Sequence, residues 1–529
     1  MSKEIIFFIV LLLAIGIFSW TCFRICRFFR LTKPAFKVRN IGKRIGVVLS
    51  VAFGQTRIMR KPVIGFMHAM VFWGFCIILI GSIEMVIDGL TGSERVLSIL
   101  GPVYNIIIGA GDIFALFIAI FIVVFLVRRL FHAVKRFDGI EMKPKSHKDA
   151  NIALSMILLL MLTLLGMNTF YLLSTENPVG TFPVSELLAP WFSGISPYHQ
   201  HLWHEINWWG HIVLIMIFAN ILPYSKHFHV FMSVPNVFLS RLYPLGYLPN
   251  METITKEVKM MMNPDTAYAA PAEGAIEEEV TRFGIKDVED VTWKNYLDAL
   301  SCTECGRCTE VCPANKTGKK LSPRKIFIDL RARMKEKGPQ LIKDKSFDDQ
   351  KSLLRDCIST EELWACTTCN ACARECPVSI NHPIMIMDMR RYLVMEEAAA
   401  PAEINAIFTN IENNGAPWQF SPEDRMLWAE NITDNQNNPV IIPTMAECVA
   451  QGKQPEYLLW VGSAGAFDDR YRKVMRAFVT LLSHASVDYA VLGTEESDSG
   501  DIARRCGNEM LYQMQAMMNI ELLKKYQVG

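Results

Sequence analysis

No lysine or arginine falls between Asp149 and Ser225, and no aspartate or glutamate between Arg24 and Lys61. With 51% apolar residues, these one-sided charge distributions fit a chain that lies partly in lipid. The net charge of +1 lacks the cationic excess that binding to nucleic acid requires. The apolar stretches lack paired mid-depth carboxylates and an inverted repeat, which speaks against a transporter. Cysteine is not scarce, at 14 residues, but eight of them fall in two clusters with metal-ligand spacing. That argues against a disulfide framework and for reduced thiols in a cytosol-facing segment.

Five stretches are long and apolar enough to cross a bilayer core of about 30 Å. They run near residues 5–23, 63–87, 104–127, 152–173 and 208–231. The first starts with Lys3 and Glu4, ends strongly basic and is followed by no small-residue cleavage site, so it reads as a retained anchor. Residues 24–61 carry eleven Lys or Arg, and residues 128–148 carry seven against two acids, which makes both loops cytoplasmic. The outer loop holds Glu176, Glu186 and Glu205. The N-terminus is then expected outside and everything after residue 232 inside, in a multi-pass protein of a bacterial inner (plasma) membrane.

Histidines inside spans are costly without a task. His68 lies a few residues into the second span from its cytoplasmic end, and His229 lies at the cytoplasmic end of the fifth. His211, eighteen residues earlier, stands about 27 Å nearer the outer face at 1.5 Å per residue. His68 and His229 share a depth, as bis-histidine haem ligation in a helix bundle requires. The competing reading is that each imidazole only hydrogen-bonds a neighbouring helix or reaches the interface. His211 needs a partner ten residues beyond His68, where Ile78 stands; His199, His201 and His204 are expected in the outer loop as interfacial residues, with a substitute ligand or a quinone-site lining as the alternatives. Glu84 and Asp88, near the outer end of the second span, are explained by interfacial solvation, with a proton pathway to quinone as the alternative.

The segment His211, Pro223, Tyr224, Ser225, His229, with His68 on an earlier helix, resembles the membrane subunit of respiratory nitrate reductases and of membrane-bound heterodisulfide reductases over residues 1–245. The resemblance implies five helices that hold b-type haem and exchange electrons with quinone. Two-haem members carry a histidine where Ile78 stands, so one haem b at His68 and His229 is expected, with His211 the candidate for a second.

Cys302, Cys305, Cys308, Cys312 precede Pro313, and Cys366, Cys369, Cys372, Cys376 precede Pro377. Each run is C-x2-C-x2-C-x3-C-P. A tetrathiolate zinc site would instead need two C-x2-C pairs separated by a longer loop. Three cysteines at two-residue gaps wrap a cubane, and the fourth completes the other cluster in two-cluster ferredoxins. One [4Fe-4S] cluster is therefore assigned to Cys302, Cys305, Cys308 and Cys376, and the second to Cys366, Cys369, Cys372 and Cys312. The 53 residues between the runs predict a helix from Ser322 and Pro323 to about Glu336, hence an all-α dicluster domain. Gly306, Ala371 and Ala373 suit chain close to a cluster, and Cys357 is left as a free thiol.

Residues 396–440 read as a linker with a helical patch at 402–412; residues 456–461 and 487–492 read as buried strands of an α/β unit. The stretches Val461–Gly465, Gly493–Glu496 and Gly500–Glu509 resemble the cysteine-rich CCG domain of heterodisulfide reductases. Family members carry cysteines where Ser463 and Asp498 stand, and a further cysteine motif absent before Gly529; neither Cys448 nor Cys506 is at a ligand position. A degenerate docking or scaffold role, or a truncated product, is expected of this tail.

The expected fold is mainly α: a five-helix transmembrane bundle (1–245), a linker (246–295), an all-α dicluster domain (296–395), a second linker (396–440) and a partial, degenerate CCG-like α/β unit (441–529). The whole resembles fused heterodisulfide-reductase-related oxidoreductases. That implies electron transfer between a soluble flavoprotein, such as an electron-transfer flavoprotein, and membrane quinone. The alternative is a non-catalytic anchor and relay for a separate CCG-type subunit.

Overall fold

Proline opens most of the helices that can cross a bilayer. In the computed structural model, α1 (Lys3–Arg27), α2 (Pro62–Thr91), α3 (Pro102–Leu130), α4 (Pro144–Ser174) and α5 (Pro197–Ile221) are the five helices long and apolar enough to span among the described residues. Four of them start on a Pro, whose missing N–H is no loss in a first turn. The structure describes residues 2–131, 134–137, 139, 141–142, 144–263, 282–434 and 436–528. Residues 264–281, in the expected first linker, lie outside the described residues. The chain divides into one unit of Met1–Gly246 with Asp287–Pro383 and another of Tyr247–Lys286 with Ile384–Gly529. The spanning helices and both cysteine runs thus share the first unit.

Within that unit α2, α3 and α4 enclose a core of Ala115, Ile118, Ile122, Leu160, Met161 and Leu165. Phe7 of α1 meets Met85, Met167, Ile212 and Met216 in a second core. Small residues set these approaches, as lipid supplies no hydrophobic drive between helices. A Cβ on Gly74 would stand 2.7 Å from the Phe114 ring, and one on Gly89 2.7 Å from the Phe7 ring.

The fifth span departs from expectation at both ends. It starts at Pro197, so His199, His201 and His204 lie on α5 and not in the outer loop. It stops at Ile221, and Leu222–Tyr224 and Lys226–Phe228 form tight turns before α6 (His229–Phe238) begins. His229 therefore opens a new helix instead of closing the fifth span. Pro223 restricts the residue before it, and the Ser225 hydroxyl accepts the His227 N–H at 3.0 Å, a local bond that competes with continued helix.

Where α2 ends and α3 begins, carboxylates hold the loops. Asp112 accepts from the Val184 N–H (2.8 Å), the Ser185 N–H (2.9 Å) and the Ser185 hydroxyl (2.6 Å). Glu84 accepts from the Leu97 N–H at 2.9 Å and Tyr104 at 3.2 Å, and Asp88 from the Arg95 N–H at 2.9 Å. Glu84 is buried, so loop amides and a phenol rather than interfacial water satisfy it.

In the same unit the helix Trp293–Ser301 starts with a Thr292/Asn295 capping box, and the helix Pro323–Leu341 runs a turn beyond the expected end. The Ser322 hydroxyl does not cap that helix; it donates to Glu141 at 2.6 Å, beside the fully buried Arg324–Glu141 ion pair, also 2.6 Å.

The second unit contains two parallel strands, β1 (Tyr457–Leu459) and β2 (Tyr489–Val491), in register Tyr457↔Tyr489. The helices Asp469–His484 and Glu509–Lys525 follow them. Residues 396–440, expected as a linker, are folded into this unit instead. Phe408 and Ile411 on the helix Ala402–Asn414 join one core, and Ala416 and Trp428 join another, because these apolar side chains can be buried only by packing.

Candidate redox centres

The two cysteine runs repeat one backbone device. Glu304 and Thr368 adopt left-handed φ values of 56° and 54°, and Gly306 and Asn370 follow at 74° and 61°. Each second left-handed residue launches a short helix, Arg307–Glu310 or Ala371–Glu375, that carries the third cysteine. Glycine is required in the first run, since a Cβ at 306 would stand 2.6 Å from the Arg324 guanidinium and 2.9 Å from the Arg136 carbonyl. Asparagine, tolerant of this conformation, serves in the second.

The thiols fall into two interleaved groups. The charges acting on Cys308 are those of Cys305, Cys302 and Cys376, with Cys372 last. Those on Cys372 are chiefly Cys366, Cys312 and Cys369. Cys376 thus interacts with Cys302, Cys305 and Cys308 of the first run, and Cys312 with Cys369 and Cys372 of the second. Among the described residues no three His, Cys, Asp or Glu side chains converge on a single metal ion. Thiols that ligate four separate irons of a cubane stand further apart than four ligands of one zinc. Burial raises the Cys302 thiol to about 11 and Cys376 to about 12, and lifts Cys308 and Cys372 as well. Such thiols stay protonated until a metal binds the sulfur and the proton is released to solvent. Cys369 is exposed, whereas Cys302, Cys308 and Cys376 are buried; Cys357 stands apart, among Asp329, Arg333, Asp287 and Glu336.

Guanidinium groups hold the cysteine turns. Arg136 donates to the Cys305 carbonyl at 2.9 Å, Arg57 to the Cys376 carbonyl at 3.1 Å and Arg331 to the Cys302 carbonyl at 3.0 Å. The Thr368 and Ile380 N–H groups reach the sulfurs of Cys366 and Cys376, each at 3.4 Å. Sequence reasoning used Arg57 and Arg136 only as topology signals. The pointer to their second role was the density of basic residues in two loops that must lie on the same face as the clusters.

His68 and His229 are both largely enclosed by protein and close enough that the charge of His229 acts on His68. His229 Nδ1 faces the Lys226 carbonyl at 3.2 Å, which leaves Nε2 for a ligand. His68 Nδ1 is buried without a hydrogen-bond partner. The backbone around them is pinned: Asp149 accepts from Ser225 Oγ at 2.9 Å, and Lys226 Nζ donates to the Ser146 carbonyl at 2.7 Å. The His227 ring lies 5.8 Å from that of His229, and burial, with His229, Lys226 and Arg129 adding to it, holds His227 at about 3, hence neutral.

His211 is arranged differently. Its Nδ1 meets the Leu160 carbonyl and Thr163 Oγ1, each at 3.0 Å, and the ring lines a cavity of about 40 Å³ shared with Ile78, Arg95, Asp112 and Asn168. Pockets for cofactors are roughly 300 Å³ or more. The α2 residue beside His211 there is a hydrocarbon, and the residues present do not fit a second haem.

In the second unit Ser463 and Asp498 meet: Ser463 Oγ donates to Asp498 Oδ2 at 2.9 Å, and both are buried. Glu496 beside them accepts from the Val461 and Gly462 N–H groups at 2.9 and 2.7 Å and pairs with Arg425 at 3.1 Å.

Two interleaved tetrathiol groups in one unit with five spanning helices define a membrane iron-sulfur protein. Residues 301–380 match the 4Fe-4S dicluster domain family. The chain is 31% identical to the probable iron-sulfur-binding oxidoreductase FadF of Bacillus subtilis (strain 168), over 100% of this chain and 74% of that protein. It is 30% identical to the EtfAB:quinone oxidoreductase of Syntrophomonas wolfei, over 99% of this chain and 72% of that protein. A probable membrane-anchored ferredoxin of Chromohalobacter salexigens is 36% identical over 46% of this chain and 37% of its own length. No solved structure matches the chain. The chain belongs to the family of iron-sulfur oxidoreductases that includes FadF and EtfAB:quinone oxidoreductase, and is itself a membrane-bound iron-sulfur oxidoreductase.

Proposed function

We propose that this oxidoreductase passes electrons between a reduced soluble flavoprotein and membrane quinone, using two [4Fe-4S] clusters and one haem b. Cys302, Cys305, Cys308 and Cys376 would hold one cluster, Cys366, Cys369, Cys372 and Cys312 the other, and His68 with His229 the haem. These groups supply one-electron chemistry between two two-electron partners: a flavin hydroquinone gives up two electrons and two protons, and a quinone takes up two of each. The observation that carries this reading is the coexistence, in one unit, of interleaved thiol groups and a close imidazole pair beside spanning helices.

The chain's own residues provide spacing and shielding. Cys369 is the one exposed thiol among the eight and would bring the cluster it shares with Cys366, Cys372 and Cys312 nearest a soluble donor, while three of the four thiols of the other cluster are buried. The basic loops support a cytoplasmic cluster face and an outer N-terminus. That EtfAB:quinone oxidoreductase is among the relatives supports an electron-transfer flavoprotein as donor. The test is rapid mixing of the purified full-length protein with a reduced flavoprotein donor and a quinone analogue. Bleaching of the cluster absorbance followed by quinol formation supports the reading, and absence of cluster reduction by any flavoprotein donor refutes it.

A second reading, an anchor and relay for a separate CCG-type subunit, is favoured by one observation. Ser463 and Asp498 close on each other as an oxygen pair that offers no thiolate to a cluster. Co-purification of a second iron-sulfur polypeptide, with quinone reduction only in its presence, would select it.

A further inference from the structure

We propose that Arg129 and His227 bind the two propionate carboxylates of haem b; this rests on the haem assignment above and adds a carboxylate-binding subsite to it. Haem b carries two carboxylates that must be satisfied when its ring is buried between helices. Beside the His68–His229 pair the acids and bases are unequal. Glu304 is taken up by Arg331, Lys226 and Ser146, and Asp149 by Ser225 and the Lys226 N–H. Lys226 Nζ is spent on Ser146 and Glu304. Two donors are left over: His227 Nε2 and Arg129 Nε are buried and have no hydrogen-bond partner.

Both donors sit where a carboxylate edge belongs. His227 is two residues before His229, with its ring 5.8 Å away, and Arg129 is close enough to act on His227. Arg129 lies in the last turn of α3, the end that the basic loops assign to the cytoplasmic face, and its guanidinium is 4.5 Å from the Phe137 ring. Haem between His68 and His229 would thus turn its charged edge towards this end and its apolar edge into the bundle. Glu304 and Asp149 are the anions whose charges reach Arg129, and both are already held by other donors, so a buried guanidinium nitrogen without an acceptor leaves room for a further carboxylate.

The test compares haem b with its dimethyl ester, whose propionates are neutral. The full-length protein is produced without haem, checked for intact cluster absorbance, and titrated with each compound while the Soret band is followed. Wild type should bind haem b about tenfold or more tighter than the ester. Arg129→Gln and His227→Phe should each lose most of that preference and bind the ester as wild type does, whereas Arg129→Lys should keep part of it. Equal binding of both compounds by wild type overturns this inference alone. Variants that bind both compounds equally less well than wild type overturn it too, since their defect is then structural. Failure of wild type to bind haem b in any form overturns the haem assignment, and this inference with it.

Discussion

Cys312 and Cys376 show how much one side chain decides. Each is the fourth thiol of its own run, yet each stands among the thiols of the other. Cys312→Ala should therefore remove the cluster of the second run and leave that of the first, with about four irons retained. Electron paramagnetic resonance of Cys312→Ala and Cys376→Ala should show different surviving signals, and loss of the first-run cluster in Cys312→Ala would overturn the interleaved assignment. Arg57 and Arg136, which donate to the Cys376 and Cys305 carbonyls, would stabilise the extra negative charge of a reduced cluster held there. Replacing either with Gln should lower the midpoint of the neighbouring cluster by an amount on the order of 1 kcal/mol, read by redox titration. The buried Glu141–Arg324 pair has its own signature. Burial alone would raise the Glu141 carboxyl, but Arg324 and Ser322 override it and hold the folded value below the usual 4.5. Its stabilisation is present above pH 4.5 and is lost as pH falls through the lowered value. Arg324→Met should cost about 3 kcal/mol or more at neutral pH, measured as thermal loss of cluster absorbance, with the deficit shrinking as the acid window is entered.

The break between α5 and α6 is the element on which the imidazole pair depends. Its Pro223, Ser225 and Asp149 contacts turn the chain so that His229 opens a helix, and the Lys226 carbonyl faces its Nδ1. Ser225→Ala removes two of these bonds at a cost of about 1 kcal/mol. It should broaden or shift the low-spin haem signals of the full-length protein while cluster content stays unchanged; unaltered spectra would free His229 from this turn. The segment was recognisable in the sequence as Pro223, Tyr224, Ser225 and His229, but its geometry was not. Hydropathy runs on smoothly through residues 208–231 and does not register a helix end made by one proline and one serine hydroxyl. The start at Pro197 was missed because His199, His201 and His204 lower the apolar average of a first turn that is nonetheless helical. The cysteine runs were readable because ligand chemistry fixes their spacing. The arginines that hold them were not, since a cation's partner is a carbonyl brought near only by folding.

As a whole, the molecule joins a lipid-crossing bundle to a thiol-rich module in one unit, a union the sequence presented as separate segments. Although β1 is half-exposed where the sequence predicts a buried strand, and only β2 is buried, the spans, the two short strands and the mainly helical class follow from composition and periodicity. Residues 396–440 did not, because their polar, Pro- and Asn-rich composition hides the few apolar side chains, Phe408, Ile411 and Trp428, that fold them into the second unit. The pairing of Ser463 with Asp498 is likewise a product of tertiary structure, with β1 and β2 side by side bringing their following turns together. The measurement that bears most directly on the proposed centres is the ratio of non-haem iron, acid-labile sulfide and b-type haem on one sample of purified full-length protein. About eight irons, about eight sulfides and one haem are expected. Four or fewer irons, or no haem, would contradict the proposed set of centres. Two haems would place a ligand opposite His211 where the structure has Ile78, and iron well above eight would mean that the Ser463–Asp498 unit binds a cluster after all.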